Sequence, residues 1–400
     1  MRRRYFGGSD ASRALSVAEL RHMAARRLPP FVFEYLEGGA EDEVTLTRNQ
    51  AAFDRVAFRP RALVDVGQVD LSCEVLGRRW RVPFAIGPTG FNSLIAPDGD
   101  RALARAARAA GAPMVQSTVS NATIEAIAAI EGLDHWLQLY AFRSLEFMER
   151  LVERARAAGV HGLMLTVDGS VFGNREWDKR SYRPGTTDPT LRQRLATLAH
   201  PRWGIGMLSQ GGVPTFGNIV EMLPEGRRDM ASAAGWAREQ IDPALDWAWL
   251  DWLRNIWDGP LVIKGIARAD DARRALDAGA QGVVLSNHGG RQLDGTQATI
   301  TLLPEIADAV GGRMTILIDS GFRRGTDIAK ALALGADAVL LGRATLYGLG
   351  VAGEAGASRA LALLEAELYR TVALLGCRDL SALGPQLLDR GDRGPLDASR

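Results

Sequence analysis

The sequence predicts an α/β protein built as a (β/α)8 (TIM) barrel, and a repeated pattern is the first reason. Four segments have a helical stretch, then a glycine, then an apolar run: residues 109–118, 157–168, 277–288 and 333–343. Glycine suits such a helix end because it enters the left-handed conformation at little cost, as expected of Gly111, Gly159, Gly279 and Gly335. The apolar runs are continuous rather than alternating, which is typical of parallel strands covered on both faces.

Four further apolar runs bring the number of predicted strands to eight: residues 82–90, 135–140, 261–266 and 315–320. Helical patterns lie between most of the strands, at residues 98–110, 123–130, 145–158, 269–278 and 326–334. Eight such units would complete one closed barrel, and a doubly wound open sheet is the alternative.

Polar residues at the strand ends favour the barrel. They fall at or just beyond the carboxyl end of seven strands, where barrels of this kind build their active sites. These residues are Thr118, Tyr140, Asp168, Lys264, His288, Asp319 and Arg343.

The rest of the chain is expected to elaborate a single domain spanning residues 1–400. The barrel covers about 82–350, an N-terminal helical extension precedes it with helices at 17–27 and 31–37, and a helical tail follows at 355–400. A long insertion after strand four covers about 177–240. After it, Asp242 and Pro243 predict the start of a helix whose apolar stripe packs on the barrel.

Composition limits the classes of function. The chain has 400 residues and a formal net charge of +1, which argues against nucleic acid as a partner. Two cysteines, Cys73 and Cys377, are too few for a disulfide framework or a zinc cluster, and no metal site is expected. The basic N-terminus lacks the apolar run of a signal peptide, so we expect a cytoplasmic protein.

Two glycine-rich segments predict a phosphate site. DSGFRRGTD (319–327) and LGR (341–343) follow strands seven and eight, where the common phosphate site of this fold lies. Arg323 and Arg343 are the residues expected to bind the phosphate oxygens.

A second cluster predicts acid–base chemistry. His288 in SNHGGRQLD follows strand six and is the best general-base candidate among five histidines. Asp168 at the end of strand four could pair with His288 and raise its proton affinity. Arg291 is suited to hold a carboxylate at two points.

Lys264 stands on an otherwise apolar strand, LVIKG, and needs an anionic partner there. That partner could be a cofactor ring that acquires negative charge, a carbonyl substrate that forms a Schiff base, or simply Asp168 or Asp319 in a buried ion pair. Spacing alone makes Arg175, Tyr35 and Tyr140 weak candidates for the site.

The insertion contains a glycine-rich stretch with Trp203, Met207, Leu208 and Phe216 near several arginines. Its simplest interpretation is a mobile lid or a contact between subunits. The alternative is an interfacial membrane anchor formed by residues 192–222.

Together the motifs identify a family by resemblance. YLEGGAEDE, GPTG, LQLY, TVD followed by GNRE, VIKGI, SNHGGRQLD, DSGFRRGTDIAKALALGA and LGRATLYGL resemble the FMN-dependent 2-hydroxy-acid dehydrogenases and oxidases. The resemblance runs in order from about residue 15 to residue 380. Several segments, AHPRW among them, are most similar to the branch of this family that oxidises (S)-mandelate.

The resemblance implies a role for each matching residue. His288 corresponds to the catalytic base and Asp168 to its partner, while Arg175 and Arg291 would hold the substrate carboxylate and Tyr35 and Tyr140 would border the substrate. Lys264 corresponds to the lysine beside flavin N1. The other positions implied to bind FMN are Pro88, Thr89, Gly90, Ser117, Gln138, Thr166, Ser286, Asp319, Ser320, Gly321, Arg323, Gly342 and Arg343.

The implied reaction is the FMN-dependent oxidation of an (S)-2-hydroxy acid, foremost (S)-mandelate, to the 2-oxo acid. Hydride transfer and a carbanion route remain open. Gly90, where related oxidases carry a larger residue, and Val119 favour quinone or another acceptor over oxygen, and room for an aromatic substituent. The family also implies a homotetramer and, through the insertion, peripheral contact with the inner face of the cytoplasmic membrane.

Other functions remain as alternatives to this reading. Within the family, the substrate could be L-lactate, glycolate or 4-hydroxymandelate, with a dehydrogenase or an oxidase activity. Outside it, a non-redox barrel isomerase or aldolase could use Lys264 and a phosphorylated substrate, or the chain could be a non-catalytic flavin-binding scaffold.

Overall fold

Eight parallel strands close into a barrel at the centre of the molecule. In chain order they are β1 (Phe84–Ile86), β2 (Met114–Ser117), β3 (His135–Tyr140), β4 (Gly162–Thr166), β5 (Leu261–Ile266), β6 (Gly282–Leu285), β7 (Thr315–Ile318) and β8 (Ala338–Leu341). Each strand pairs with its neighbour in sequence, and β8 pairs with β1 through Val339 and Phe84. This closure confirms the barrel and rules out the open sheet. The computed structural model describes residues 5–183, 189–212, 215–223 and 230–389.

The barrel interior is filled by a cluster of apolar side chains. Every strand contributes to it: Ala85, Val115, Trp136, Met164, Val262, Val284, Leu317, Ala338 and Leu340. A hairpin of Cys73–Val75 and Arg78–Trp80 covers the amino-terminal end, where Trp80 Nε1 donates to Asp134 Oδ2 at 3.1 Å. Because this hairpin covers the amino-terminal end, a site is expected at the carboxyl end of the barrel.

Helices surround the barrel and follow the predicted pattern. After the successive strands come Gly99–Ala110, Ile124–Ala128, Leu145–Ala157, Trp247–Ile256, Ala269–Asp277, Thr299–Val310, Gly325–Ala333 and Arg343–Leu374. The glycines that precede β2, β4, β6 and β8 have positive φ, from 61° at Gly111 to 106° at Gly335. Sequence analysis missed the helix Thr299–Val310, in which Pro304 interrupts the helical pattern.

The helix expected to begin at Asp242 and Pro243 begins later, so that prediction is wrong. Asp246 is the N-cap, and its side chain accepts from the N–H of Trp249. Asp242 instead accepts from the N–H of Ala244 in a turn, directly after Ile241 forms a bridge with Phe142. The local hydrogen bond of Asp242 therefore makes a turn rather than a helix start.

The N-terminal extension has helices at Val17–Arg27, Pro30–Glu37 and Val44–Ala51, with short turns at Ala11–Arg13 and Ala52–Arg55, and Asn92–Ile95 follows β1. The insertion contains Glu176–Lys179, Leu191–Thr197, Pro201–Ser209, Val220–Met222 and Met230–Gln240. Its residues 184–188, 213–214 and 224–229 lie outside the described residues.

Within the described residues, the α-helix in the tail expected at 355–400 ends at Leu374. Beyond it come short turns at Leu380–Ala382 and Pro385–Leu387. The strand Leu388–Asp389 then pairs antiparallel with Ala57–Phe58, which follows the helices of the N-terminal extension. Residues 390–400 lie outside the described residues.

Candidate active site

A cavity of about 260 Å³ lies at the carboxyl end of the barrel. Most of the predicted site residues line it, contributed by strand ends and by the N-terminal extension. They are Tyr35, Pro88, Thr89, Gly90, Ser117, Tyr140, Arg175, Lys264, His288, Arg291, Asp319, Ser320, Gly321, Arg323, Gly342 and Arg343. The other four, Gln138, Thr166, Asp168 and Ser286, lie in or just after β3, β4 and β6 at the same end of the barrel and are not among the residues that line the cavity.

His288 and Asp168 form the predicted pair. His288 Nδ1 lies 2.9 Å from Asp168 Oδ1, and the Nε2 atom lies 3.5 Å from the Tyr140 hydroxyl. Burial pushes the pKa of Asp168 up, but the charges of His288 and Lys264 outweigh it and lower that pKa below its ordinary value. Asp168 is therefore an ionised acceptor, so the proton of neutral His288 belongs on Nδ1. The Nε2 lone pair then faces the cavity.

Sequence analysis expected Asp168 to raise the proton affinity of His288. Asp168 does act in that direction, but burial has the larger effect and lowers the pKa of His288 below its ordinary value. Lys264 and Arg175 lower it further. His288 is therefore a neutral base at neutral pH.

Lys264 joins two parts of the site through hydrogen bonds. Its ammonium donates to Ser286 Oγ at 2.9 Å and lies 3.2 Å from Asp319 Oδ2, so the buried ion pair considered from the sequence is present. Burial alone would lower the pKa of Lys264, but the charges of Asp319 and Asp168 leave that pKa raised. Lys264 thus stays charged and is not suited to form a Schiff base.

Two arginines lie on the insertion side of the cavity. Arg175 Nε donates to the carbonyl of Arg291 at 3.4 Å, and Arg291 Nη1 donates to the carbonyls of Tyr35 and Gly38. Burial, followed by the charge of Arg291, lowers the pKa of Arg175 to about 10. Two cations placed side by side in a buried cavity favour an anion between them.

The two tyrosines border the same space. The Tyr35 hydroxyl donates to the carbonyl of Gly90 at 3.3 Å, and the guanidinium of Arg291 lies 5.2 Å from the centre of the Tyr35 ring. Burial raises the pKa of Tyr140 to about 12, so its hydroxyl is a proton donor beside His288.

The predicted phosphate end differs in detail from the expectation. The N–H groups of Arg323 and Arg324 donate to Asp327, and that of Gly325 donates to Glu367, so the start of this helix is already capped. The start of another helix remains available to bind a phosphate. Gly342 is the N-cap of Arg343–Leu374, and the first N–H groups of a helix lack intrahelical partners.

The two predicted phosphate-binding arginines also differ from each other. Arg343 uses three nitrogens to hold the carbonyls of Leu36, Gly289 and Gly38. Among the described residues, the Arg323 side chain donates only to the adjacent carbonyl of Phe322, so it keeps more of its donors for a ligand.

Gln292 is a positioning residue that sequence analysis missed. Its amide donates to the carbonyls of Asp168 and Val171 and accepts from the N–H of Gly173. It thereby fixes the loop between Asp168 and Arg175. Its position one residue after Arg291, in the motif that was already singled out, is the signal that could have pointed to it.

A comparison with protein-family models identifies the family of this chain. Residues 24–390 match the model of the FMN-dependent dehydrogenases. The chain belongs to this family. Membership in this family shows that the protein is an FMN-dependent 2-hydroxy-acid dehydrogenase. It excludes the alternatives of a non-redox isomerase or aldolase and of a non-catalytic flavin-binding scaffold.

Individual relatives carry two different names. The chain is 43% identical to (S)-mandelate dehydrogenase of Pseudomonas putida over 93% of each sequence. It is 42% identical to L-lactate dehydrogenase of Ectopseudomonas mendocina (strain ymp), over 92% of this chain and 97% of that relative.

Solved structures show the same likeness. A structure described as monotopic membrane protein (S)-mandelate dehydrogenase matches with a TM-score of 0.89 and 43% identity, covering 94% of this chain and all of that one. Mandelate oxidase with (S)-4-hydroxymandelic acid matches with a TM-score of 0.81 and 37% identity, covering 94% and 98%. In the part of our structure that is described, no helix has the length and apolar content to cross a bilayer.

The strand ends of this chain fit FMN. Gln138 Nε2 and Thr166 Oγ1 are buried and have no hydrogen-bond partner among the described residues, which is costly unless a ligand supplies acceptors. Tyr140 pairs with Thr166 across β3 and β4, and Thr166 pairs with Lys264 across β4 and β5. These donors on three adjacent strands suit a polar ring edge, and the helix start at Gly342 with Arg323 suits the phosphate.

Proposed function

We propose that this enzyme oxidises an aromatic (S)-2-hydroxy acid, foremost (S)-mandelate, to the corresponding 2-oxo acid. The observation that carries the proposal is the apolar wall of the cavity beside Arg175 and His288. Phe91 lies with its ring 4.7 Å from that of Phe216 and 5.3 Å from that of Tyr35. Aromatic edges at these distances favour a further aromatic ring.

Two alanines, Ala234 and Ala237, leave room for that ring. Ala234, Ala237 and Ile241 line the same cavity from the end of the insertion, and Val119 lines it from the loop after β2. A methyl group, as in lactate, would leave much of this apolar wall without contact. L-lactate remains the second candidate, because a relative that is 42% identical, against 43% for the mandelate dehydrogenase, is named L-lactate dehydrogenase.

The side chains of the site account for binding and proton transfer. Arg175 and Arg291 would hold the substrate carboxylate, and burial makes their attraction for it stronger than it would be in water. The Nε2 lone pair of His288 would take the proton, while Asp168 keeps the ring in the required tautomer and stabilises the imidazolium that forms.

FMN supplies the acceptor for the two electrons when it is bound. Gln138, Thr166, Lys264 and Ser117 would hold its ring, with the charge of Lys264 stabilising the added negative charge. Gly342, Arg323 and the backbone near Gly321 would hold its phosphate.

We propose that a quinone or another compound, rather than oxygen, accepts the electrons, because Gly90 stands where related oxidases carry a larger residue. Gly90 packs so closely on the loop after β2 that an added Cβ would lie 2.9 Å from Val119 Cγ2. The small residue at position 90 therefore keeps these two loops together beside the cavity.

We further propose that the insertion binds the surface of a membrane. Five large apolar side chains in or next to the helices Leu191–Thr197 and Pro201–Ser209 are exposed, from 58% at Leu195 to 79% at Leu208; the other three are Leu191, Leu198 and Ile205. Arg192, Arg194 and Arg202 lie on the same helices, and apolar side chains with nearby arginines are typical of interfacial helices.

The substrate proposal is tested by changing the apolar wall. Ala234→Leu fills the space assigned to the ring, so we expect kcat/KM for (S)-mandelate to fall by roughly ten-fold or more while that for L-lactate changes little, since a lost or added methylene in a pocket is worth about 1–3 kcal/mol. Steady-state assays with an artificial electron acceptor measure both. A wild-type enzyme that prefers L-lactate, or equal losses for both acids, would contradict the proposal.

A further inference from the structure

A second cavity lies beside the active site, on the side of the insertion. It has a volume of about 400 Å³ and shares five lining residues with the main cavity: Phe172, Arg175, Asp178, Arg238 and Ile241. The shared residues border both spaces, so the two cavities adjoin. We call this second space the lateral cavity.

The lateral cavity runs from the surface towards the substrate site. Its outer residues Arg143, Lys179, Arg238 and Glu239 are exposed, whereas Phe172 and Arg175 are half-buried and Ile241 is buried. A solute that moves along it passes from exposed side chains to the arginine expected to bind the substrate carboxylate.

The charge of this cavity is predominantly positive. Arg143, Arg175, Lys179 and Arg238 outnumber the carboxylates of Asp178 and Glu239. Within the described residues, neither Arg143 nor Arg238 makes an ion pair through its guanidinium.

Arg238 and Arg175 are linked by an aromatic ring. Their guanidinium carbons lie 5.1 Å and 5.8 Å from the centre of the Phe172 ring, so they are within about 11 Å of each other. Contact with the ring holds Arg238 at the wall without neutralising it. An anion bound near Arg238 is therefore only a short step from Arg175.

We propose that the lateral cavity is the entrance for the substrate and that Arg238 captures the carboxylate of the 2-hydroxy acid before it reaches Arg175 and Arg291. The inference rests on the proposed function, because it takes a small organic monocarboxylate as the ligand. Cavities lined by one sign of charge raise the local concentration of an oppositely charged solute, and salt weakens that effect.

Stopped-flow reduction of the holoenzyme by (S)-mandelate without oxygen tests the entrance. For Arg238→Gln we expect the second-order rate at low substrate to fall about three- to ten-fold at low ionic strength, within the range of electrostatic steering. The reduction rate at saturating substrate should be unchanged, because Arg238 does not contact the reacting atoms. The defect should shrink as salt is added, and Arg238→Lys should restore the rate.

Arg150→Gln is the matched control, since Arg150 is an exposed arginine on the helix Leu145–Ala157 that pairs with Glu146. It should behave as wild type. A second-order rate for Arg238→Gln equal to that of wild type, or a loss that is independent of salt, would overturn the entrance. If no 2-hydroxy acid reduces the flavin of the wild-type enzyme, the proposed function itself fails. That result differs from a failure of the entrance alone, in which (S)-mandelate reduces the wild-type enzyme and Arg238→Gln equally fast.

Discussion

His288 is held in a backbone conformation that few residues other than glycine adopt. Its φ is +57°, and such a conformation costs about 1–3 kcal/mol unless the surroundings fix it. Ser286 Oγ accepts from the N–H of His288 and also from Lys264, while the N–H of Gly289 donates to Ser320. The ring of the base is therefore directed by the same network that places the buried lysine.

The pKa of His288 leads to a prediction on pH. Because its folded pKa is lowered, His288 is a base at every pH above that value, and on the acidic side activity should fall as the pH drops through it. Asp168→Asn removes a charge that raises this pKa. The acidic limb of the profile of kcat/KM against pH should therefore move to lower pH. The maximal rate should fall by about 10²-fold or more, since the imidazolium loses its stabilising charge.

The pH profiles of wild type and Asp168→Asn measure both effects. Bound FMN should be retained, because Asp168 pairs with His288 and is not among the residues assigned to FMN. An acidic limb that moves to higher pH in the variant would contradict the assignment of Asp168.

The helix Arg343–Leu374 shows how an element positions the site. It begins at the expected phosphate end and bends at Ala352 and Gly353. Its two arms touch through glycines, since a Cβ at Gly348 would lie 2.1 Å from the carbonyl oxygen of Gly356. No side chain fits in this contact.

Gly348→Ala should therefore destabilise the protein by about 1–3 kcal/mol, as expected of overpacking in a buried contact. Unfolding by urea measures the change. Gly204→Ala is the control, because Gly204 lies in the helix Pro201–Ser209 and an added Cβ there meets no atom within 4 Å. The control should be neutral or stabilised by up to about 1 kcal/mol, and equal effects of the two variants would contradict the close contact.

At this scale, periodicity predicted most of the elements. The strands and the helices that end at Gly111 and Gly159 were placed within a few residues, because continuous apolar runs and left-handed glycines are local signals. The start at Asp246 rather than Asp242 was missed, since both aspartates accept local N–H groups and only tertiary contacts decide between a cap and a turn. The fixed loop at Gln292 also depends on contacts distant in sequence.

Over the whole molecule, the motifs identified the site better than the total charge did. Strand ends far apart in sequence converge on one cavity because the barrel closes, and that follows from the fold alone. The lateral cavity could not be predicted, because Arg238 comes from the insertion and meets Phe172 only through tertiary packing. The single domain, the homotetramer and the lack of a nucleic-acid partner stay predictions.

The exposed apolar surface of the insertion leads to a prediction for the whole molecule. The holoenzyme should sediment with vesicles of phosphatidylcholine and phosphatidylglycerol, and the triple variant Leu195→Asp, Leu198→Asp and Leu208→Asp should stay in the supernatant. Leu374→Asp is the control, because Leu374 is 77% exposed but lies at the end of another helix. Wild-type protein that does not sediment, or equal loss in the control, would contradict a membrane-binding insertion.

We propose that bound FMN takes electrons from a 2-hydroxy acid whose proton goes to His288. Anaerobic mixing of the holoenzyme with (S)-mandelate tests it most directly, with the flavin absorbance as the readout. We expect the wild-type flavin to bleach and His288→Ala to keep its FMN yet bleach at least about 10²-fold more slowly, the lower end of the contribution of a general base. Bleaching of His288→Ala at a near-normal rate would contradict the account.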